Sequence, residues 1–244
     1  MNTLIVGASS GIGKECARTF AKKGHRIICS ARDQDELDRV ASDLSIRYGC
    51  QASVMAIDLS EPSEIGSFVD KIYAEIKYLD NVIVTAATLP ADGSDVGLNT
   101  DLAEVTRTNY VGVAVLIGAI STKMVERGSG TIVCLSSVAG DRGRQSNFVY
   151  GATKSALNTF LQGLRMKLDK YGIRVITVMP GYVDTLMAYG RVRSGLSVSP
   201  SYFAKRIYRL TRTRRNIVYV PGVWWLVGAV LKSIPESIYK KMRI

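Results

Sequence analysis

The chain has 244 residues, 47% of them hydrophobic, which is ample for one large core and long for a single domain, although α/β units often run this long. A formal charge of +11 ordinarily raises nucleic acid as a partner. Its distribution argues for no nucleic acid: residues 1–185 set 20 basic side chains against 20 acidic ones, whereas residues 186–244 set 12 Lys and Arg against Glu236 alone, so the excess is a local feature of the tail.

An apolar strand starts three residues in, at 3–6, which leaves no room for a signal peptide or N-terminal anchor before it and sets the expectation of a cytoplasmic protein. Further strand-like runs at 26–30, 52–56, 81–85, 130–135, 173–178 and 217–220 alternate with helical patterns at 12–23, 33–47, 61–77, 100–127 and 148–170. Val/Ile-rich strands unbroken by polar residues, alternating with helices, predict an α/β fold with one Rossmann-type doubly wound parallel sheet of about seven strands. Right-handed crossovers put the ligand crevice at the carboxyl ends of those strands. Residues 1–185 read as a nucleotide-binding catalytic domain, and 186–244 as a substrate loop and a basic, apolar, partly helical appendage of the same domain. Cys16, Cys29, Cys50 and Cys134 are scattered singly, without metal-ligand or disulfide spacing, and read as inert thiols; no metal is expected.

Gly7-Ala8-Ser9-Ser10-Gly11-Ile12-Gly13 follows the first strand and opens the first helix. Glycines there let the backbone approach a pyrophosphate, and the helix N-terminus supplies unpaired N–H groups for the anion. The second strand ends in Cys29-Ser30-Ala31-Arg32, with no acid at its terminus to hold the ribose 2′-hydroxyl of NAD(H). The guanidinium of Arg32 suits a 2′-phosphate, so NADP(H) is preferred and NAD(H) is the second possibility; Lys14 is close enough in sequence to add charge. The other reading of Arg32 is a solvated, helix-capping residue. Asp58, after the third strand, either receives the adenine amino group or caps the helix that follows.

Tyr150 and Lys154 stand four apart at the start of an apolar-periodic helix, so phenol and ammonium project from one face. A phenol titrating near 10 is a poor proton shuttle at neutral pH, and an adjacent Lys⁺ is expected to lower it. Ser137 ends the fifth strand, where its hydroxyl can hold a carbonyl oxygen. Asn109 is a poor helix former inside a helical pattern, and its side chain is placed to carry a water leading to Lys154.

With these residues the chain resembles the short-chain dehydrogenase/reductase family over essentially 1–185. The resemblance rests on Gly7, Gly11 and Gly13, Asn109 to Gly112, Ser136-Ser137 with Ser137 thirteen residues before Tyr150, the Tyr150/Lys154 pair, and Pro180-Gly181 followed by Thr185. It implies an NAD(P)-dependent oxidoreductase interconverting ketone and alcohol, with Asn109, Ser137, Tyr150 and Lys154 as a catalytic tetrad. Tyr150 is then the proton donor in reduction, and Lys154 also holds the nicotinamide ribose. Implied cofactor contacts are Gly7, Ser9, Ser10, Gly11, Ile12, Gly13, Arg32, Asp58, Leu59, Ala86, Tyr150, Lys154, Pro180, Gly181, Val183 and Thr185. The chain departs from the family at Val6, where Thr is usual, and at Val84-Thr85-Ala86-Ala87, where Asn-Asn-Ala-Gly is usual. Ala87 cannot supply a glycine's backbone freedom, which puts the cofactor contacts at that turn in question.

The stretch from Ser136 through Asp141-Arg142-Gly143-Arg144 to Tyr150, and the ending from Pro235 to Ile244, resemble a narrower group. That group is the reductase subunit of the decaprenylphosphoryl-ribose 2′-epimerase system. The resemblance implies a lipid-linked (polyprenyl phosphate) 2-keto sugar as substrate and a separate flavin-dependent oxidase as partner. Reduction of another hydrophobic carbonyl (ketoacyl lipid, steroid or retinoid-like) is the alternative, and a non-catalytic nucleotide-binding protein a third reading.

Arg142 and Arg144 lie between Ser137 and Tyr150, and Arg191 and Arg193 in the loop after Pro180-Gly181. Together they suit a substrate phosphate, or else are ordinary surface charge. The segment from Val223 to Leu231 contains Trp224-Trp225, is too short to span a bilayer and has cations on both sides. Three roles compete for it: membrane-interface anchor within 209–244, subunit contact, or core lid. Pro221 and Pro235 bracket one helix there. The helices 100–127 and 148–170 would serve a homodimer or homotetramer.

Overall fold

The computed structural model describes residues 1–9, 11–89, 102–185 and 197–242. In chain order these form β1 (Asn2–Val6), α1 (Gly11–Ala21), β2 (Arg26–Ser30), α2 (Gln34–Tyr48), β3 (Ala52–Val54), α3 (Ile65–Glu75), β4 (Asn81–Val84), α4 (Leu102–Thr106), α5 (Val113–Arg127), β5 (Gly130–Leu135), α6 (Phe148–Leu168), β6 (Ile173–Pro180), β7 (Tyr182–Val183), β8 (Ser197–Val198), α7 (Pro200–Leu210), β9 (Ile217–Val220), α8 (Val223–Ser233) and α9 (Glu236–Tyr239).

Seven strands make one sheet in the order β3-β2-β1-β4-β5-β6-β9, every neighbouring pair parallel. Their side chains are buried on both faces, because helices cover both. Val82, Val84 and Ile132 pack with Ile65, Leu116 and Leu157 of α3, α5 and α6 on one side. Ile83, Val133 and Val178 pack with Phe20, Leu37 and Phe203 of α1, α2 and α7 on the other. The chain winds outward from β1 to β3, then returns to β4 on the other flank of β1. That reversal separates the loops leaving β1 and β4 and opens a crevice at their carboxyl ends.

The fold class is the expected one, with differences in detail. The pattern over 100–127 is helical from Leu102 to Arg127, but residues Arg107–Gly112 form a wider π turn between α4 and α5. The π turn contains both Asn109 and Gly112. A Cβ on Gly112 would lie 1.9 Å from the Leu59 carbonyl oxygen, so this glycine lets the helix touch the loop after β3. The strand read at 217–220 is β9, the seventh of the sheet, beside β6. The β7–β8 pair and α7 were not expected, although Ser199-Pro200 is a plain helix start, with Ser199 Oγ accepting from the Tyr202 amide at 3.2 Å. One helix stands between Pro221 and Pro235, as their bracketing predicts.

Gly112→Ala should therefore overpack the contact of the π turn with Leu59, costing about 1–3 kcal/mol. Thermal unfolding should show Tm falling by roughly 2–4 °C for each kcal/mol lost.

Candidate active site

The crevice begins at Gly7, whose φ of +91° turns the chain off β1, where the Gly7 and Ala8 amides donate to Ser30 O at 2.7 and 3.1 Å. A Cβ on Gly7 would lie 2.6 Å from Thr85 Oγ1, and one on Gly13 would lie 1.9 Å from Gly7 O. The turn after β1, the start of α1 and the turn after β4 are thus in backbone contact. Thr85 ties them together, its Oγ1 donating to Val6 O at 2.9 Å. Ala87 fits without strain, since no described non-glycine residue has a positive φ.

From there a groove of about 400 Å³ runs past Ser9, Gly11, Ile12, Leu59 and Ala86, with Arg32, Asp33 and Asp58 toward one end and Thr185 along its wall. Ser10 lies outside the described residues. The first turn of α1 carries no acidic residue, and its amides face an anion-compatible cradle. This shape and chemistry fit a dinucleotide. Arg32 is exposed and has no ion-pair partner among the described residues. It does not cap α2; Asp33 does, accepting from the Glu36 amide at 3.0 Å. Lys14 adds no free charge, because Glu36 pairs with it at 2.5 Å. Asp58 does not cap the following helix either: its Oδ1 accepts from the Ser60 amide and hydroxyl at 2.8 and 2.9 Å, while Glu61 precedes the helical turn.

At the catalytic end, Ser137 closes β5, and its Oγ accepts from the Ala139 amide at 3.1 Å. Tyr150 and Lys154 occupy successive turns at the start of α6. Ser137, Tyr150, Lys154, Pro180, Gly181 and Val183 surround a cavity of about 120 Å³, which shares Ile12, Thr85, Ala87 and Thr185 with the groove. Lys154 is 1% exposed; its ammonium donates to Leu135 O at 3.3 Å and stands 5.5 Å from the Tyr150 ring centre.

Burial decides the titration of this pair. It pushes the Tyr150 phenol up to about 12, and the Ser137 hydroxyl, hydrogen-bonded to it, only partly offsets the rise. Burial also lowers Lys154 to about 8. Burial thus works against the lowering expected from Lys154, whose ammonium donates to Leu135 O. At neutral pH the pair holds a neutral phenol and a charged lysine. The phenol can donate a proton to an alkoxide forming in the cavity, Ser137 can hold the same oxygen, and Lys154 supplies positive charge nearby. Hydride is what a bound nicotinamide supplies. The single histidine, His25, is bonded to Thr3 Oγ1 at 2.8 Å, where the Asn2–Arg26 register begins, far from these groups. No metal-holding group of side chains occurs among the described residues.

Two other expectations change. The Asn109 side chain is committed to the segment after β4: Oδ1 accepts from the Thr88 amide and Nδ2 donates to Thr88 O, both at 2.8 Å, with Thr153 Oγ1 at 3.4 Å. It braces that segment. Arg142 does not flank the cavity as a free cation. Its guanidinium donates to Leu231 O and Ile234 O at 2.5 and 2.6 Å, pairs with Glu236 and stacks 3.7 Å from the Tyr239 ring centre. Arg144 stays beside the loop, 3.5 Å from Val138 O, with its buried Nε unpartnered. Arg191 and Arg193 lie outside the described residues. Sequence reasoning missed Thr88, Thr153 and the contact of Trp224 with Gly181; nothing local marks a residue whose role depends on a distant partner.

The short chain dehydrogenase family profile matches residues 1–194. The chain is 36% identical over 254 residues to dehydrogenase/reductase SDR family member 7B of Danio rerio, covering 97% of this chain and 82% of that one. It is 31% identical to an uncharacterized oxidoreductase of Streptomyces coelicolor, over 98% and 94% of the two chains. A short-chain dehydrogenase from Sphingobium yanoikuyae, solved in complex with NADPH, superposes with a TM-score of 0.81 at 26% identity, covering 97% of both chains. An actinorhodin polyketide ketoreductase with NADPH gives 0.79 at 26% identity, covering 90% and 95%. The chain belongs to the short-chain dehydrogenase/reductase family and is an NAD(P)-dependent oxidoreductase acting between alcohol and carbonyl.

Two outcomes follow for the catalytic pair. Reductive kcat should fall as pH rises through about 8, where Lys154 loses its charge, and Tyr150→Phe should abolish turnover while leaving Tm within a few degrees. Between pH 8 and 10.5 the unfolded chain binds the Lys154 proton and the folded chain does not, so folding stability from this group rises with pH across that window. Lys154→Met should be inactive yet raise Tm at pH 7, an advantage that shrinks toward pH 10; calorimetry at both pH values measures it.

Proposed function

We propose that the protein is an NADPH-dependent reductase that converts the ketone of a hydrophobic, membrane-borne substrate to a secondary alcohol. The observation that carries this reading is the two-sided helix α8. Its Trp224 is buried against Gly181 at the catalytic cavity, whereas Val223, Trp225, Leu226 and Val230 of the same helix remain exposed. At 11 residues α8 is only about 16 Å long and suits lying in an interface, not crossing it. Arg209, Arg212, Arg214 and Arg215 precede it and Lys240 and Lys241 follow, so an anionic leaflet complements it. On this reading the protein is cytoplasmic and peripheral on the inner face of the membrane.

NADPH is favoured over NADH by the unpaired Arg32 at the groove, the one described cation there without an acidic partner. The NADPH complexes of similar structures agree with that choice. For the substrate, the resemblance of 136–150 and 235–244 to the epimerase reductase supports a lipid-linked 2-keto sugar, with a flavin-dependent oxidase supplying the ketone. Arg144 is then the described guanidinium left to face a phosphate. The engagement of Arg142 favours a second reading, a hydrophobic carbonyl without phosphate, such as a ketoacyl lipid. Val115, Phe148 and Met166, exposed on α5 and α6, support self-association through those helices.

Arg32→Ala should weaken NADPH binding about tenfold or more while changing NADH less than twofold, as titration by cofactor fluorescence would show. Equal losses would overturn the cofactor choice. The protein should float with vesicles containing phosphatidylglycerol and not with neutral vesicles, and Trp225→Ser with Leu226→Ser should abolish flotation. Binding that ignores both lipid charge and these substitutions would refute the membrane reading.

A further inference from the structure

The helix α8 is fastened at both ends to the loop that joins Ser137 to Tyr150. At its C-terminal end the last carbonyls of a helix lack intrahelical partners, and a planar guanidinium can serve two of them at once. Arg142 does this, reaching Leu231 O and Ile234 O while it stacks on Tyr239. Tyr239 closes the ring by donating its hydroxyl to Gly143 O at 2.7 Å. The neighbouring Asp141 accepts from Tyr219 Oη at 3.0 and 3.1 Å and from Lys232 Nζ at 2.9 Å. Gly228 permits this approach, because a Cβ there would lie 2.7 Å from Asp141 Oδ2.

At its N-terminal end the helix seats Trp224 among Val138 and Met179, edge-on to Tyr182 at 5.3 Å. The indole leaves no room for a side chain on Gly181, where a Cβ would lie 1.9 Å from Nε1. Val138 follows the catalytic Ser137, and Gly181 lines the catalytic cavity. The same helix therefore touches the catalytic loop at Val138, Asp141 and Arg142 and the cavity lining at Gly181.

We propose that Arg142 is a positioning residue: by gripping the C-terminal carbonyls of α8 it keeps Trp224 pressed between Val138 and Gly181, and so holds Ser137 in register with Tyr150. The exposed Glu236 pair contributes little to the grip, since exposed ion pairs are weak; the carbonyl fork and the Tyr239 stack supply it. The proposal rests on the family chemistry of Tyr150 and is independent of any membrane contact.

The chain has only two tryptophans, both on α8, so Trp225→Phe leaves Trp224 as the sole fluorescent reporter of the docked helix. In that background Arg142→Ala should shift Trp224 emission to longer wavelength and increase acrylamide quenching. It should also lower kcat for NADPH-driven reduction of 2,3-hexanedione by about 10- to 100-fold and weaken Trp224-to-NADPH energy transfer, with Kd for NADPH within twofold. Arg142→Lys, which keeps the charge and reaches one carbonyl, should recover part of kcat and part of the emission shift. Tyr239→Leu, which removes the stack and the bond to Gly143, should move the same readouts in the same direction, and it serves if Arg142→Ala does not fold. Released emission with unchanged kcat and energy transfer would overturn the proposal. So would lost activity with Trp224 still shielded, or a loss explained entirely by weaker NADPH binding.

Discussion

Everything at this site depends on a backbone contact that tolerates no side chain. Gly13 brings the first turn of α1 against the carbonyl of Gly7, and Gly7 in turn meets Thr85 and Ala86 after β4. The sheet reverses its winding between β1 and β4, so these are the two loops that the reversal parts. Their contact fixes the floor of the groove, and the N-terminus of α1 faces into it. A nucleotide needs both the close backbone and the helix end; either alone would be an ordinary turn.

The catalytic end shows burial prevailing over pairing. Tyr150 and Lys154 are close enough to interact, yet desolvation displaces each toward its neutral form, the lysine buried and the phenol partly so. The phenol stays protonated, the state in which it can donate a proton. The lysine is left near the edge of its charged range, so the site is an expense to folding that serves the chemistry. Cys134, against the same lysine, is driven upward by burial too and is a core thiol.

The tail connects these parts. β9 completes the sheet, α7 packs on α1, and α8 leans on the catalytic loop from the far side. A region that holds all of the net charge in sequence is also structurally divided: some of its groups fasten the core, and others face outward. Asp141 and Arg142 tie the tail to the loop between Ser137 and Tyr150, since one acidic and one basic side chain there bind groups 78 to 94 positions away.

Strand identity, helix identity and the doubly wound order follow from local pattern, because runs of Val and Ile buried on both faces leave no other architecture. The glycine turn and the Ser137, Tyr150 and Lys154 set are legible for a related reason: their spacing along one loop or one helix face is the geometry itself. The π turn around Asn109 and the brace it makes to Thr88 are not, since an asparagine in a helix says only that something polar is wanted. Arg142 is the clearest case. Between two catalytic residues it reads as a substrate ligand, and only packing shows that the nearest acceptors are helix-end carbonyls near the other end of the chain. The Tyr150 phenol differs in the same way: sequence supplies the neighbouring charge, but the degree to which water is excluded is a property of the whole fold. Local spacing determined which groups are present, and tertiary burial decided what each of them is free to do.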